Sequence, residues 1–149
     1  MVAFNLQRFD IHGLMVIGGF EAFTSVLQLA QNRDKYPQFA IPIVHIPATI
    51  SNNVPGTDYS LGSDTALNTI IQACDLIKQS ATSSSKRAFV VETMGGKSGY
   101  LTTLAGLGAG ASRIYIPEKG IRLADLHHDV QVGGRCELSF FLSLSSFFF

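Results

Sequence analysis

The chain has 149 residues, enough for one modest domain with a real core. Apolar residues make up 46% and charged residues 15%, which excludes a disordered chain. Lysine plus arginine balances aspartate plus glutamate at 11 each, so neither nucleic acid nor an anionic membrane is expected as the main partner.

In chain order, Met1 to Asp10 lacks the long apolar core of a signal peptide. Leu14 to Ile17 reads as a short buried strand closed by Gly18-Gly19. Phe20 to Asn32 carries Phe23, Val26, Leu27 and Ala30 at helical spacing, and Tyr36-Pro37 ends that segment. Ile41 to Ile46 is a second strand. It runs into the polar stretch Thr49-Ile50-Ser51-Asn52-Asn53-Val54-Pro55-Gly56-Thr57-Asp58. Asp64 to Ser80 is a helix with Leu67, Ile70, Ile71, Cys74 and Ile77 on one face, capped by Ser63 or Asp64. A polar loop from Ala81 to Lys86 leads to Arg87 and a third strand, Ala88 to Val91. Ser98 to Gly110 is a helix of small residues suited to close packing on a sheet. Arg113 to Ile116 is a fourth strand and Leu123 to Val130 a further helix. The alternation predicts an α/β fold with a mainly parallel sheet and helices on both faces.

Ser139 to Phe149 contains only Phe, Ser and Leu, with neither helical nor strand period. These residues break the pattern of the preceding chain. Pyrimidine-rich codons suit this composition, and translation of an unspliced intron would explain it. A sticky tail that docks on a partner is the alternative. No run reaches the roughly 20 apolar residues needed to cross a bilayer. Cys74 and Cys136, isolated in unlike contexts, fit a reducing, cytoplasmic setting rather than a disulfide scaffold.

Parallel strands put their C-terminal ends on one edge, where α/β sheets bind ligands. Three such ends carry candidates: Gly18-Gly19-Phe20-Glu21, Thr49 to Asn53, and Met94-Gly95-Gly96. The polar loop has hydroxyl and amide groups but no charge before Asp58, which suits holding a polar ligand better than moving a proton. The glycines let backbone N–H groups approach a phosphate, although ordinary βα turns would also use them. Gly96-Lys97-Ser98 resembles the end of a P-loop, but Val91 stands where that motif needs glycine. Gly106 to Gly110 lies at a helix end and reads as packing and a C-cap. Arg87, at the start of a strand, could reach a phosphate on a neighbouring subunit or simply be solvated. His12, His45, His127 and His128 have no metal-ligand spacing; His45 reads as a satisfied core histidine. Glu21, Asp58 and Asp64 read as helix-end and turn carboxylates.

Residues from about Phe9 to Val130 closely resemble part of the ATP-dependent 6-phosphofructokinase family. The resemblance rests on Pro47 to Asp58, Gly62 to Ile70, Gly18 to Ala22, and Glu92 to Leu101. Animal and fungal members are duplicated, with a catalytic N-terminal half and a C-terminal half that binds the activator fructose 2,6-bisphosphate. This chain resembles the C-terminal half. A catalytic half would have Asp at the positions of Ser51, Asn53 and Phe20, and Arg at that of Gly96. The first of those Asp residues is the family's general base, and the one at Phe20 serves the magnesium of MgATP.

The resemblance thus implies a partial phosphofructokinase-like three-layer domain over residues 9–130, with an uncertain start over 1–8 and a non-family tail over 131–149. It implies that Thr49, Ile50, Ser51, Asn52, Asn53, Met94, Gly95 and Gly96 contact the sugar bisphosphate effector. Arg87 would reach a phosphate across a subunit interface. MgATP is implied for the parent enzyme, with no cofactor, metal or catalytic residue for this segment, and a homo-tetramer is the family assembly. The chain is expected to be a fragment of the effector half. A standalone sugar-phosphate-binding module or an inert partial gene product is the alternative.

Overall fold

A computed structural model of the protein describes residues 1–82, 88–133 and 138–143. Its contacts divide the chain into two units. One comprises Met1–Thr49 and Asn53–Leu61, the other Ile50–Asn52 and Gly62–Phe149. Every pair of strands described is parallel.

In the first unit, β1 (Leu14–Gly18) pairs with β2 (Ile43–Pro47) from Leu14↔Ile43 to Gly18↔Pro47. The second strand starts two residues later than the apolar run suggests. Pro42 has no N–H to donate to a ladder, yet its carbonyl accepts from the Leu14 N–H at 2.9 Å. Helix α2 (Phe20–Gln31) follows β1 with only Gly19 between them. A Cβ at Gly18 would lie 2.7 Å from that of Ala22, so the tight exit leaves no room for a side chain. His45 is satisfied as expected: its Nε2 is 3.1 Å from the Gly18 carbonyl, and its ring lies 5.8 Å from that of Phe23. The chain returns after the polar loop through the Leu61 N–H, which donates to the Pro47 carbonyl at 2.9 Å.

Helix α1 (Val2–Arg8) precedes β1 and has no signature in the sequence. Its one buried side chain is Leu6, so no apolar period betrays it. It lies against a 3₁₀ turn, Pro37–Phe39, whose Phe39 is also buried, and Gln38 donates to Gln7 at 3.2 Å.

The second unit contains α3 (Ser63–Thr82), β3 (Ala88–Thr93), α4 (Tyr100–Gly108), β4 (Arg113–Tyr115), α5 (Leu123–Gly133) and β5 (Leu138–Ser143). Its core joins Cys74, Ala105 and Ala109 to Leu67, Ile70, Ile71, Val91 and Ala111. That is the face expected of α3 meeting the small-residue face of α4. Burial pushes the Cys74 thiol pKa up, reinforced by Asp75 and opposed by Lys78, as befits a packing residue. Glycines bring α4 close to its neighbours: a Cβ at Gly106 would meet Ile114 at 2.7 Å, and one at Gly108 would meet Ile71 at 2.8 Å. The C-cap reading of the glycine run holds. Gly110 sits at φ +64°, Ala111 donates to the Gly106 carbonyl at 2.7 Å, and Gly110 donates to that of Leu107 at 3.2 Å.

The tail corrects one expectation. The Phe/Ser/Leu segment was expected to have no strand character, yet Leu138–Ser143 is the central strand of the order β3-β5-β4. Ala88 pairs with Leu138 and Arg113 with Phe140. A central parallel strand needs no polar alternation, so periodicity could not reveal it. Residues 144–149 and Cys136 lie outside the described residues.

Tyr115 ties β4 to α5. Its hydroxyl donates to the Asp129 carboxylate at 2.7 Å, and Arg113 pairs with the same carboxylate at 3.1 Å. Desolvation, then the bond to Asp129, pushes the Tyr115 pKa up to about 12 from the ordinary 10.0. The folded form therefore holds this proton more tightly than the unfolded chain. The stability it contributes is complete below about pH 10 and is lost as pH rises towards 12. Tyr115→Phe should lower stability at neutral pH and flatten the alkaline limb of a stability–pH profile between pH 10 and 12, measured by urea unfolding. An unchanged alkaline limb would show that Tyr115 does not carry this dependence.

Candidate functional site

The strand-end loops sort between the two units. In the first, Thr49 follows β2, and its carbonyl accepts from the Ser60 hydroxyl at 2.8 Å. A Cβ on Gly19 would lie 3.2 Å from that of Thr49, so the Gly18-Gly19 exit and the start of the polar loop are in contact. Asn53 belongs to this unit, and its Oδ1 is buried with no hydrogen-bond partner from the protein. An orphaned acceptor of this kind calls for a donor from elsewhere.

In the second unit, Ile50–Asn52 meets the loop after β3. Ile50 is exposed, Ser51 is buried, and Asn52 is left-handed at φ +46°. Opposite them, Gly95-Gly96-Lys97-Ser98 forms a tight turn closed by the Ser98 N–H donating to the Gly95 carbonyl at 2.8 Å. Both central residues are left-handed, Gly96 at φ +51° and Lys97 at φ +68°. That handedness defines a type I′ turn, which favours glycine or asparagine at both corners. Lysine holds the second corner against a cost of roughly 1–2 kcal/mol.

Two contacts knit the loops together. The Ser98 hydroxyl donates to the Ser51 carbonyl at 2.8 Å. A Cβ at Gly96 would stand 3.2 Å from Ser51 Oγ, closer than ordinary packing allows. Glycine at 96 is thus favoured twice, by its backbone conformation and by the closeness of Ser51. Met94 is 77% exposed beside this junction, while Gly95 is buried. Beneath it, the Thr93 and Thr102 hydroxyls lie 2.6 Å apart and pin the end of β3 to α4.

The structure adds Glu118 to the residues singled out in the sequence and gives Ser98, rejected as part of a P-loop, a partner in Ser51. Glu118, in the 3₁₀ turn Pro117–Lys119, accepts from the Gly99 N–H at 2.6 Å at the start of α4. It lines a cavity of about 450 Å³ with Ser98, Gly99, Tyr100, Thr103, Leu104 and Ile116. A Cβ on Gly99 would strike Ile116 Cβ and Glu118 Oε2, each at 2.7 Å. The sequence pattern starts this helix at Ser98; the structure starts it at Tyr100, leaving Gly99 as the N-cap whose N–H the 3₁₀ turn supplies with a carboxylate.

Arg87 lies outside the described residues. Glu21 occupies the first turn of its helix, as expected. Asp64, read with Ser63 as a cap, lies inside the first turn instead because α3 already begins at Ser63, and Asp58 is exposed. Among the described residues no group of three or more His, Cys, Asp or Glu side chains could hold a metal ion. Among them, too, no helix is long and apolar enough to cross a membrane. The two loops carry hydroxyl, amide and backbone N–H groups and one ammonium.

Comparisons with known proteins agree with this architecture. The sequence profile of the family Phosphofructokinase matches residues 1–138. ATP-dependent 6-phosphofructokinase 1 of Aspergillus oryzae is 64% identical over 124 residues, covering 83% of this chain and 16% of that enzyme. The muscle-type enzyme of Sus scrofa is 53% identical over 130 residues, covering 87% of this chain and 17% of that protein. The solved structure of phosphofructokinase from Saccharomyces cerevisiae superposes with a TM-score of 0.85 at 48% identity, covering 97% of this chain and 20% of that one. The chain thus spans about a sixth of the length of the curated relatives it matches. With the profile running through both loops and the same fold in a solved relative, the chain belongs to the phosphofructokinase family.

Proposed function

We propose that this segment serves the effector half of a 6-phosphofructokinase. It would bind fructose 2,6-bisphosphate through Thr49 to Asn53, Met94 to Gly96 and Arg87, and take no part in the chemical step. The parent reaction is transfer of phosphate from MgATP to the 1-hydroxyl of fructose 6-phosphate, in the cytoplasm, by an oligomeric enzyme. The observation that carries this reading is the Ser51–Gly96 junction: two loops held together by the Ser98–Ser51 bond, so close that a Cβ at Gly96 would stand 3.2 Å from Ser51 Oγ.

The donor set fits binding and not phosphoryl transfer. Moving phosphate onto a sugar hydroxyl needs a base for the proton and neutralisation of the charge on the transferred group. Ser51 is buried and accepts no proton at neutral pH. Asn53 offers an amide oxygen, and Phe20 is an exposed ring at the start of α2. None of the three supplies a carboxylate, so MgATP has no magnesium ligand at the position where the family resemblance expects one. Glu118, the carboxylate of the adjoining cavity, is already bonded to the Gly99 N–H. A base missing from its position typically costs about 10²–10⁴-fold in rate.

The test is a chimera: the full-length Aspergillus oryzae enzyme with residues 9–130 of this chain in place of its own matching stretch. Neutralising the catalytic carboxylates of its other half should reduce turnover to the level of a no-enzyme control while labelled fructose 2,6-bisphosphate still binds. Turnover persisting in that variant would make this segment catalytic and overturn the proposal.

A further inference from the structure

We propose that Glu118 is a positioning residue of the effector site: its carboxylate fixes the start of α4 and, through Ser98, sets where the Ile50–Asn52 segment lies. This rests on the effector-site reading above and deepens it. Helix α4 begins without a cap of its own. Its N-cap is Gly99, which has no side chain to accept a hydrogen bond, and its first turn holds no acidic residue. Glu118 fills that gap from outside the helix, its Oε1 accepting from the Gly99 N–H at 2.6 Å. Gly99 is buried, so this N–H depends on the acceptor the protein gives it. The fit is close: a Cβ on Gly99 would lie 2.7 Å from Glu118 Oε2 and from Ile116 Cβ.

The hydrogen bonds continue from there to the polar loop. The Ser98 hydroxyl accepts from the Tyr100 N–H at 3.4 Å and donates to the Ser51 carbonyl at 2.8 Å. One hydroxyl thus joins the helix start to the Ile50–Asn52 segment. The Gly99 N–H belongs to the planar peptide that also contains the Ser98 Cα, so an acceptor that fixes the N–H fixes the base of the Ser98 side chain. Without that acceptor the buried N–H finds a new one only if the peptide rotates, and rotation swings the Ser98 hydroxyl away from Ser51. The position of the acceptor oxygen matters here more than its charge. Glu118 is exposed, and solvent screens the attraction between its charge and the helix end.

The experiment is activator titration of the chimera with fructose 2,6-bisphosphate, comparing Glu118→Gln, Glu118→Asp, Glu118→Ala and Ser98→Ala, with Arg87→Ala as the reference. Glu118→Gln keeps an acceptor oxygen at the same reach and should leave the activation constant within about twofold of the parent. Glu118→Asp keeps the charge but draws the oxygen back by one methylene. It and Glu118→Ala should each raise the constant roughly three- to tenfold. Glu118→Ala combined with Ser98→Ala should add little to the larger single effect, because both cut the same chain of bonds. A constant that follows charge, raised in Glu118→Gln and parent-like in Glu118→Asp, would overturn the positioning role. So would full additivity in the double variant. An unchanged constant in Glu118→Ala, with Arg87→Ala still weakened, would also overturn it and leave the effector site standing. No change in any variant, Arg87→Ala included, would remove the effector site and the role of Glu118 with it.

Discussion

Gly96→Val should raise the activation constant of the chimera for fructose 2,6-bisphosphate by about a hundredfold. Two costs combine at this one position. A β-branched residue at φ +51° stands in a backbone region that side chains rarely adopt, a strain of order 1–3 kcal/mol. Its Cβ would also lie 3.2 Å from Ser51 Oγ, and its two methyl groups would crowd the same space. The turn can escape by swinging off Ser51, but that breaks the Ser98–Ser51 bond and dismantles the proposed effector surface. Gly96→Ala should fall between parent and Gly96→Val, since it keeps the strain but loses the methyl clash. Activator titrations of the three proteins, with thermal melts alongside, check this ordering. An activation constant unmoved by Gly96→Val would show that the junction is not where the effector binds.

Most of the fold was legible from periodicity because most elements bury one regular face. Leu67, Ile70, Ile71 and Cys74 announced α3 at helical spacing, and the short apolar runs announced β1 to β4. The two elements that escaped did so for opposite reasons. Helix α1 buries too little, with Leu6 alone inward, so it leaves no period. Strand β5 belongs to an all-parallel sheet, a setting in which strands run apolar instead of alternating.

The candidate site was legible where backbone chemistry is written in residue types. The glycines of Met94-Gly95-Gly96 and the amides and hydroxyls of Thr49 to Asn53 were readable as a polar cradle. The left-handed corner at Lys97 was not, because lysine rarely adopts that backbone conformation. Ser98 and Glu118 became visible only through the partners they reach, Ser51 across 47 residues and Gly99 across 19. The loss of function read at Ser51, Asn53 and Phe20 came from the family resemblance, since a serine or a phenylalanine at a strand end says nothing alone about an absent carboxylate.

Arg87→Ala bears most directly on the central claim that this segment regulates and does not catalyse. A guanidinium that donates to a phosphate makes a charge-assisted bond, typically worth about 1.5–3 kcal/mol. Losing it corresponds to a roughly tenfold to hundredfold weaker response to the activator. On the proposed reading the arginine touches only the effector, so the chemistry at the other half of the enzyme is untouched once activation is saturated. The measurement is an activator titration of the chimera at low fructose 6-phosphate, comparing the parent with Arg87→Ala and reading the activation constant and the saturated rate from the same curve. The account predicts a roughly tenfold to hundredfold rise in the constant with the saturated rate nearly unchanged. A saturated rate that collapses while the constant stays put would contradict it and make this segment part of the catalytic machinery.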